Sequence, residues 1–252
     1  MILESLACGR RARAALLAGV AALFAGSHAV AGGFAVSPIR AELKPGSMSE
    51  TVTITNHADK ALRVGVRLMA WTQDQAGSDV LQESGDLVYF PRQLDVEPGG
   101  KRLVRVGAKN PAAATERAYR LFIEETPAPL SDDQRGAQVA VYFKFGVPIF
   151  LPPAVPKLQA DFAEPTLDKG QLALEVRNTG NVHFRLTTVK LEDGAGFSTN
   201  VGGWYMLPGT TRKYVAAIPA EVCRKASRLL LTADGDGVHY TRDIPITPAN
   251  CG

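Results

Sequence analysis

Between residues 50 and 125, apolar and polar positions alternate in short bursts. ETVTITN (50–56), LRVGVRLMAW (62–71), LVYF (87–90), KRLVRVGA (101–108) and YRLFIEE (119–125) each alternate or cluster β-branched, aliphatic and aromatic side chains. Successive side chains of a strand point to opposite faces, so a period of two predicts strands. Between them stand NHADK (56–60), DQAGSD (74–79) and EPGG (97–100), whose Asn, Asp, Gly and Pro favour turns. From residue 32 onward no segment keeps a helical period over twelve residues. NPAAATER (110–117) offers one helical turn at most.

The segment QVAVYFKFGVPIFLP (138–152) is the greasiest. Counted by twos, Val139, Val141, Phe143 and Phe145 make one apolar face; beyond them Val147, Ile149, Phe150 and Leu151 continue the greasy run. Two covers are possible for that face: the protein's own core, or a foreign chain. LPPAVPK (151–157) follows, and its prolines predict a semi-rigid connector, poor at joining a sheet. A second strand-rich block comes after it: QLALEVRNTG (171–180), FRLTTVKLE (184–192), RKYVAAI (212–218), RLLLTADG (228–235) and HYTRDIPI (239–246). Short strands at this spacing predict an all-β protein with two β-sandwich domains, at residues 32–152 and 153–252. VTITNHAD and LEVRNTGNVHF share an amphipathic strand that ends in Asn and a polar turn, as two related modules would.

The first 31 residues are read apart from the fold. Arg10, Arg11 and Arg13 precede the apolar stretch Ala14 to Ala25, and Ala29-Val30-Ala31 offers a cleavage site before Gly32. This is the pattern of a signal peptide, with an uncleaved anchor as its alternative. The formal net charge of +3 loses three arginines and Glu4 with the leader, leaving about +1. Such a balance gives no electrostatic case for nucleic acid or an anionic membrane. Cys8 leaves with the leader. Cys223 and Cys251, in an exported chain, predict one disulfide, with two free thiols as the alternative.

Catalytic chemistry finds little support. His57, His183 and His239 have no second His or Cys at ligand spacing, so no metal site is argued. ADGDGVHY (233–240) superficially resembles a calcium loop but lacks the downstream acidic ligands, and reads as a hairpin turn. No G-x-S-x-G and no phosphate loop is present. A non-enzyme without metal or cofactor is the expectation.

Four stretches of the first domain carry a family resemblance: VSPIRAEL (36–43), VTITNHADKALRV (52–64), ERAYRLFIEETP (116–127), and the 138–152 segment with its VPIFLPP ending. The sequence resembles the periplasmic assembly chaperones of the chaperone–usher pathway, the PapD-like family. The second domain resembles it through its size, its strand pattern and EVRNTGNVHF. The resemblance implies two immunoglobulin-like domains meeting at an angle, as a boomerang. It also implies a periplasmic protein that caps pilus subunits by lending them a strand, then hands them to an outer-membrane usher. No nucleotide or cofactor is implied. The alternatives are a secreted pilus subunit or adhesin, a periplasmic metal-delivery or hydrolytic sandwich, and a general peptide-binding module.

Carried over residue by residue, the donor strand is Val139, Val141, Phe143 and Phe145. Arg40, in SPIRAEL, falls on the cleft arginine that grips the subunit's terminal carboxylate. The family's donor-strand lysine falls on Pro148, a departure that resembles archaic or alternative branches. Arg120 and Lys144 are the candidate replacements. Pro127 and Pro129 fall on a region that faces the usher. Glu116 matches a cleft-side glutamate that helps fix the domains relative to one another, although its usual arginine partner falls on Pro152. Cys223 and Cys251 are expected to brace the second domain, and the donor edge is an expected route of self-association.

Overall fold

The computed structural model describes residues 33–44, 47–109, 113–126 and 141–251. The expected leader at 1–31, together with Pro127, Pro129 and Val139, lies outside them. From Phe34 onward the chain forms one compact unit containing two β-sandwiches.

In the first sandwich, one sheet runs β1 (Phe34–Ser37), β3 (Ser49–Asn56), β8 (Lys101–Ala108), β6 (Leu87–Phe90). The facing sheet runs β2 (Ala41–Glu42), β10 (Lys144–Leu151), β9 (Arg117–Glu125), β4 (Leu62–Gln73), β5 (Asp79–Glu83), and β7 (Gln93–Val96) also pairs with β4. Alternation decides which side chains meet between the sheets. Val52 and Ile54 of β3 and Val104 and Val106 of β8 pack against Val64, Val66 and Leu68 of β4 and Leu121 and Ile123 of β9. The β-branched residues on these strands suit a pleated, half-buried surface. Thr51, Thr53 and Thr55 take the outward positions of β3.

The second sandwich repeats the plan. β13 (Gln171–Asn178) pairs with β11 (Ala160–Phe162), β12 (Thr166–Asp168) and β17 (Thr211–Ala217). β14 (Phe184–Glu192) pairs with β15 (Ser198–Asn200), β16 (Tyr205–Met206) and β18 (Arg228–Gly235), and β18 with β19 (Val238–Pro245). Leu172, Leu174, Val176, Leu186, Val189, Leu229 and Leu231 form the core between them. Short helices at Ala220–Lys225 and Pro248–Cys251 hold the bonded cysteines Cys223 and Cys251, with Cα atoms 5.8 Å apart.

Two covers account for the greasy 147–151 run. Val147, Ile149 and Leu151 point into the first core. Phe150 points to the opposite face and is nevertheless fully buried. It joins Trp71 and Ala118, also on the outer face of their sheet, under Tyr205 and Leu207 of the second sandwich. A single strand thus serves its own core on one side and the junction of the sandwiches on the other.

The stretch 233–240 forms a hairpin, Gly235 opposite Val238, with Asp236 and Gly237 at its tip. Gly237 takes φ 72° there, the left-handed region that suits glycine. Gly235 lies so close to the Arg185 carbonyl that a side chain would collide with it, and the Asp236 N–H donates to that carbonyl at 2.9 Å. The bare glycine lets the tip fold down and present Asp236.

Candidate functional site

β10 pairs with β9 along its full length, Lys144 opposite Glu124 through Leu151 opposite Arg117. On its other side β2 pairs only at Ile149 and Phe150. From Lys144 to Pro148 that side has no strand beside it among the described residues. Just before β10, the Glu125 N–H donates to the Phe143 carbonyl at 3.0 Å, so the ladder with β9 extends at least that far.

The expected row of donor side chains divides in two. Val141 is 67% exposed and Phe143 41%. Phe145 packs instead against the first core, its ring 5.0 Å from that of Phe34 in an edge-on arrangement. Phe145 shares the inward side with Val147, Ile149 and Leu151, whereas Val141 and Phe143 lie beyond the last inward side chains. The vacant part of the row is therefore shorter than the alternation suggests.

The three candidate basic residues stand in different surroundings. Arg40 is exposed, and its Nη1 lies 3.2 Å from Asp236 Oδ2 at the tip of the second sandwich's hairpin. With Glu42, Lys44, Pro152, Pro153 and His183, these two line a hollow of about 420 Å³. Arg120 lies elsewhere, on the outer face of β9 rather than beside Arg40. Its guanidinium rests 3.9 Å from the Trp71 ring centre and 5.4 Å from that of Trp204, with Nη2 3.5 Å from Asp79 Oδ2. Burial holds its pKa below the ordinary arginine value, with Asp79 opposing. A guanidinium stacked and paired in this way is already committed within the protein. Lys144 Nζ lies 2.8 Å from Glu124 Oε1 and 4.4 Å from the Phe122 ring centre. Its hydrogen bond, seconded by one from Arg67, holds the Glu124 carboxyl below the usual range.

Glu116 joins the sandwiches, but its partner is one that spacing did not disclose. Its Oε1 accepts the His183 backbone N–H at 2.9 Å and lies 2.7 Å from His183 Nδ1. The His183 ring stacks on Phe150, centroids 3.5 Å apart and planes within 10°. The Glu116 N–H donates to the Asn181 carbonyl at 2.9 Å. His183 and Asp236 meet Glu116 and Arg40 across the junction, and the sequence assigns neither of them that role. Both stood inside motifs already singled out, NVHF and ADGDGVHY, but only the fold shows what they face.

Among the described residues no group of three or more His, Cys, Asp or Glu could hold a metal ion, and no helix is long and apolar enough to cross a membrane.

The profile of the pili and flagellar-assembly chaperone family, PapD N-terminal domain, matches residues 33–157. No curated protein sequence matches the chain. Among solved structures, the chain resembles a CsuC–CsuE chaperone–tip adhesion subunit pre-assembly complex from the archaic chaperone–usher Csu pili of Acinetobacter baumannii. The TM-score is 0.58 at 19% identity, over 84% of this chain and 98% of that one. It also resembles the CupB2 chaperone of Pseudomonas aeruginosa, with TM-score 0.54 and 18% identity over 84% of this chain and 100% of that one. A third is the Salmonella enterica SafA pilin in complex with the SafB chaperone, with TM-score 0.54 and 12% identity over 84% and 96%. At these identities the likeness is one of fold. Together, the sandwich fold and the family match define a pilus-assembly chaperone. Through residues 33–157 the chain belongs to the PapD-like family of pili and flagellar-assembly chaperones.

Proposed function

We propose that this chaperone, exported by its leader at 1–31, caps pilus subunits in the periplasm by donating the open edge of β10, and delivers them to an outer-membrane usher. The domain of residues 32–152 carries the donor strand, and that of residues 153–252 walls the cleft. One observation carries this reading: among the described residues β10 has an unpaired edge from Lys144 to Pro148, with Val141 and Phe143 exposed beside it. An open strand edge is a template for pairing, and proteins usually blunt it. Burying each exposed apolar side chain in a subunit contributes about 1.5–3 kcal/mol, and ladder hydrogen bonds add to that. Val139 would extend the row, and Pro127 and Pro129 would face the usher. The same edge is open to self-association.

Arg40 is the anchor for a subunit's terminal carboxylate, since it is the exposed candidate that lines the cleft hollow. Charge-assisted contacts have defined geometry, and the apolar row alone cannot prevent a slip of two residues. The CsuC–CsuE and SafB–SafA complexes, in which a chaperone holds a subunit, support the choice of partner. The departure at Pro148 keeps an archaic or alternative branch in view. The test is co-expression with a pilus subunit. Arg40→Ala, folded by circular dichroism, should lose the co-purifying subunit. Undiminished capture would remove Arg40 from the site.

A further inference from the structure

The outward face of the β1-β3-β8-β6 sheet holds an apolar patch remote from anything assigned above. Phe90 is 77% exposed, Leu103 59% and Val88 52%. Register makes them neighbours: Phe90 stands opposite Arg105, Val88 opposite Gly107, and Leu103 two residues from Arg105 on the same face of β8. Contiguous apolar patches on soluble proteins commonly mark interaction sites. Gly107 has no side chain to fill the space between Val88 and Ser49, and a hollow of about 260 Å³ opens there, lined by Val88, Tyr89, Phe90 and Arg105. That volume suits one large side chain.

Arg105 gives the patch its chemical preference. Its Nη2 and Nε donate to Ser49 Oγ at 3.0 and 3.3 Å, which aims the guanidinium along the hollow. It makes no ion pair among the described residues, whereas Arg40, Arg63, Arg67, Arg120, Arg228 and Arg242 all do. The outward positions of this sheet carry Lys101 and Arg105 but no carboxylate. Glu50, the one acidic residue on these strands, sits on the inward register opposite Val106, its Oε1 accepting the Thr51 N–H. A second copy of the chain laid on this face would set cation against cation, so the complement is a different, anionic partner. Among the described residues β6 pairs with β8 alone, and an extended polypeptide can add itself to such an open edge through a ladder of backbone hydrogen bonds.

We infer that this face docks an extended segment of another protein, one carrying Asp or Glu two residues from a large aromatic or aliphatic side chain. The apolar group enters the hollow over Gly107 while the carboxylate meets Arg105. Period-two spacing places both groups on one face of the docking segment.

The test uses the ¹⁵N-labelled mature chain and two synthetic peptides, acetyl-Thr-Asp-Thr-Phe-Thr-amide and its Asn-for-Asp counterpart. The expected result is saturable amide shifts at Val88, Phe90, Leu103 and Arg105 with the Asp peptide, and roughly tenfold weaker binding of the Asn peptide, the loss expected for one charge-assisted contact. Arg105→Gln should bring binding of the Asp peptide down to the Asn level. Phe90→Ser should weaken both peptides, and both surface variants should melt with the parent protein. The inference is overturned by an absence of shifts at this face with millimolar peptide, by equal binding of the two peptides, or by shifts confined to Val141–Lys144. It is equally overturned if sedimentation shows a dimer that Phe90→Ser dissolves, or if the face binds phosphatidylglycerol vesicles and ignores the peptides.

Discussion

Asn56 and Asn178 make the same hydrogen bonds from corresponding places in the two sandwiches. Each ends an inward-facing strand and is fully buried. Asn56 Oδ1 accepts the Ala58 N–H at 2.9 Å, and its Nδ2 donates to the Lys60 and Val96 carbonyls at 2.8 and 2.9 Å. Asn178 Oδ1 accepts the Gly180 N–H at 2.9 Å, and its Nδ2 donates to the Val182 and Met206 carbonyls at 2.9 and 2.8 Å. Each amide closes the turn after its strand and ties it to a distant segment. Alanine at either site orphans buried carbonyls, which should cost about 2–4 kcal/mol in urea unfolding, a few unsatisfied groups at about 1–3 kcal/mol each. Aspartate should be worse, because a carboxylate has no N–H for those carbonyls.

Phe143 and Phe145 lie two residues apart and should respond oppositely to charge. Phe143→Glu puts a carboxylate on an exposed position, so melting should stay near the parent value while subunit capture fails. Phe145→Glu drives a carboxylate against Phe34 and the first core, and should cost about 2–3 kcal/mol of stability. Equal destabilisation by both would mean that Phe143 also packs at home.

Glu116 accepts two hydrogen bonds from His183, one from the backbone and one from the ring. Glu116→Ala leaves both His183 groups without that acceptor. The expected cost is about 2–3 kcal/mol, with faster amide exchange at His183 and Asn181 than in the parent. Unchanged exchange at His183 would show that the carboxylate does not hold it.

Tyr119 predicts an alkaline loss of stability. Burial, aided by its 3.0 Å hydrogen bond to Asp86 and opposed by Arg117, pushes the phenol up to about 12. An unfolded tyrosine ionises near pH 10. The raised folded value means that this contribution is fully present below about pH 10 and is lost by about pH 12. The stability gap between parent and Tyr119→Phe should narrow by up to about 2 kcal/mol across that window. A gap that stays constant in urea unfolding at pH 9 and 11.5 would contradict this.

Strands and inward faces were legible because side-chain direction follows from parity alone. Val64, Val66 and Leu68 read as core from their alternation with Arg63, Gly65 and Arg67, and they are core. The match between the two Asn-ended strands was also visible, and it has a structural basis in their shared hydrogen bonds. Parity says nothing of what covers an outward face, so Trp71 and Phe150, buried on the outside of their sheet, could not be foreseen. Arg120 is a related case: its position along β9 is readable from sequence, but not the aromatic rings that the second sandwich brings to it. His183 and Asp236 act across the junction of the sandwiches, which no local pattern encodes.

The two-residue pairing of β2 with β10 has a consequence for length. Among the described residues, the vacant lane beyond Phe143 runs from Lys144 to Pro148, where a proline without an N–H meets the first rung of β2 at Ile149. Any visiting ribbon laid in that lane reaches a dead end there, whatever its side chains. Backbone alone rules off how far annealing can travel, and a longer visitor has to peel away.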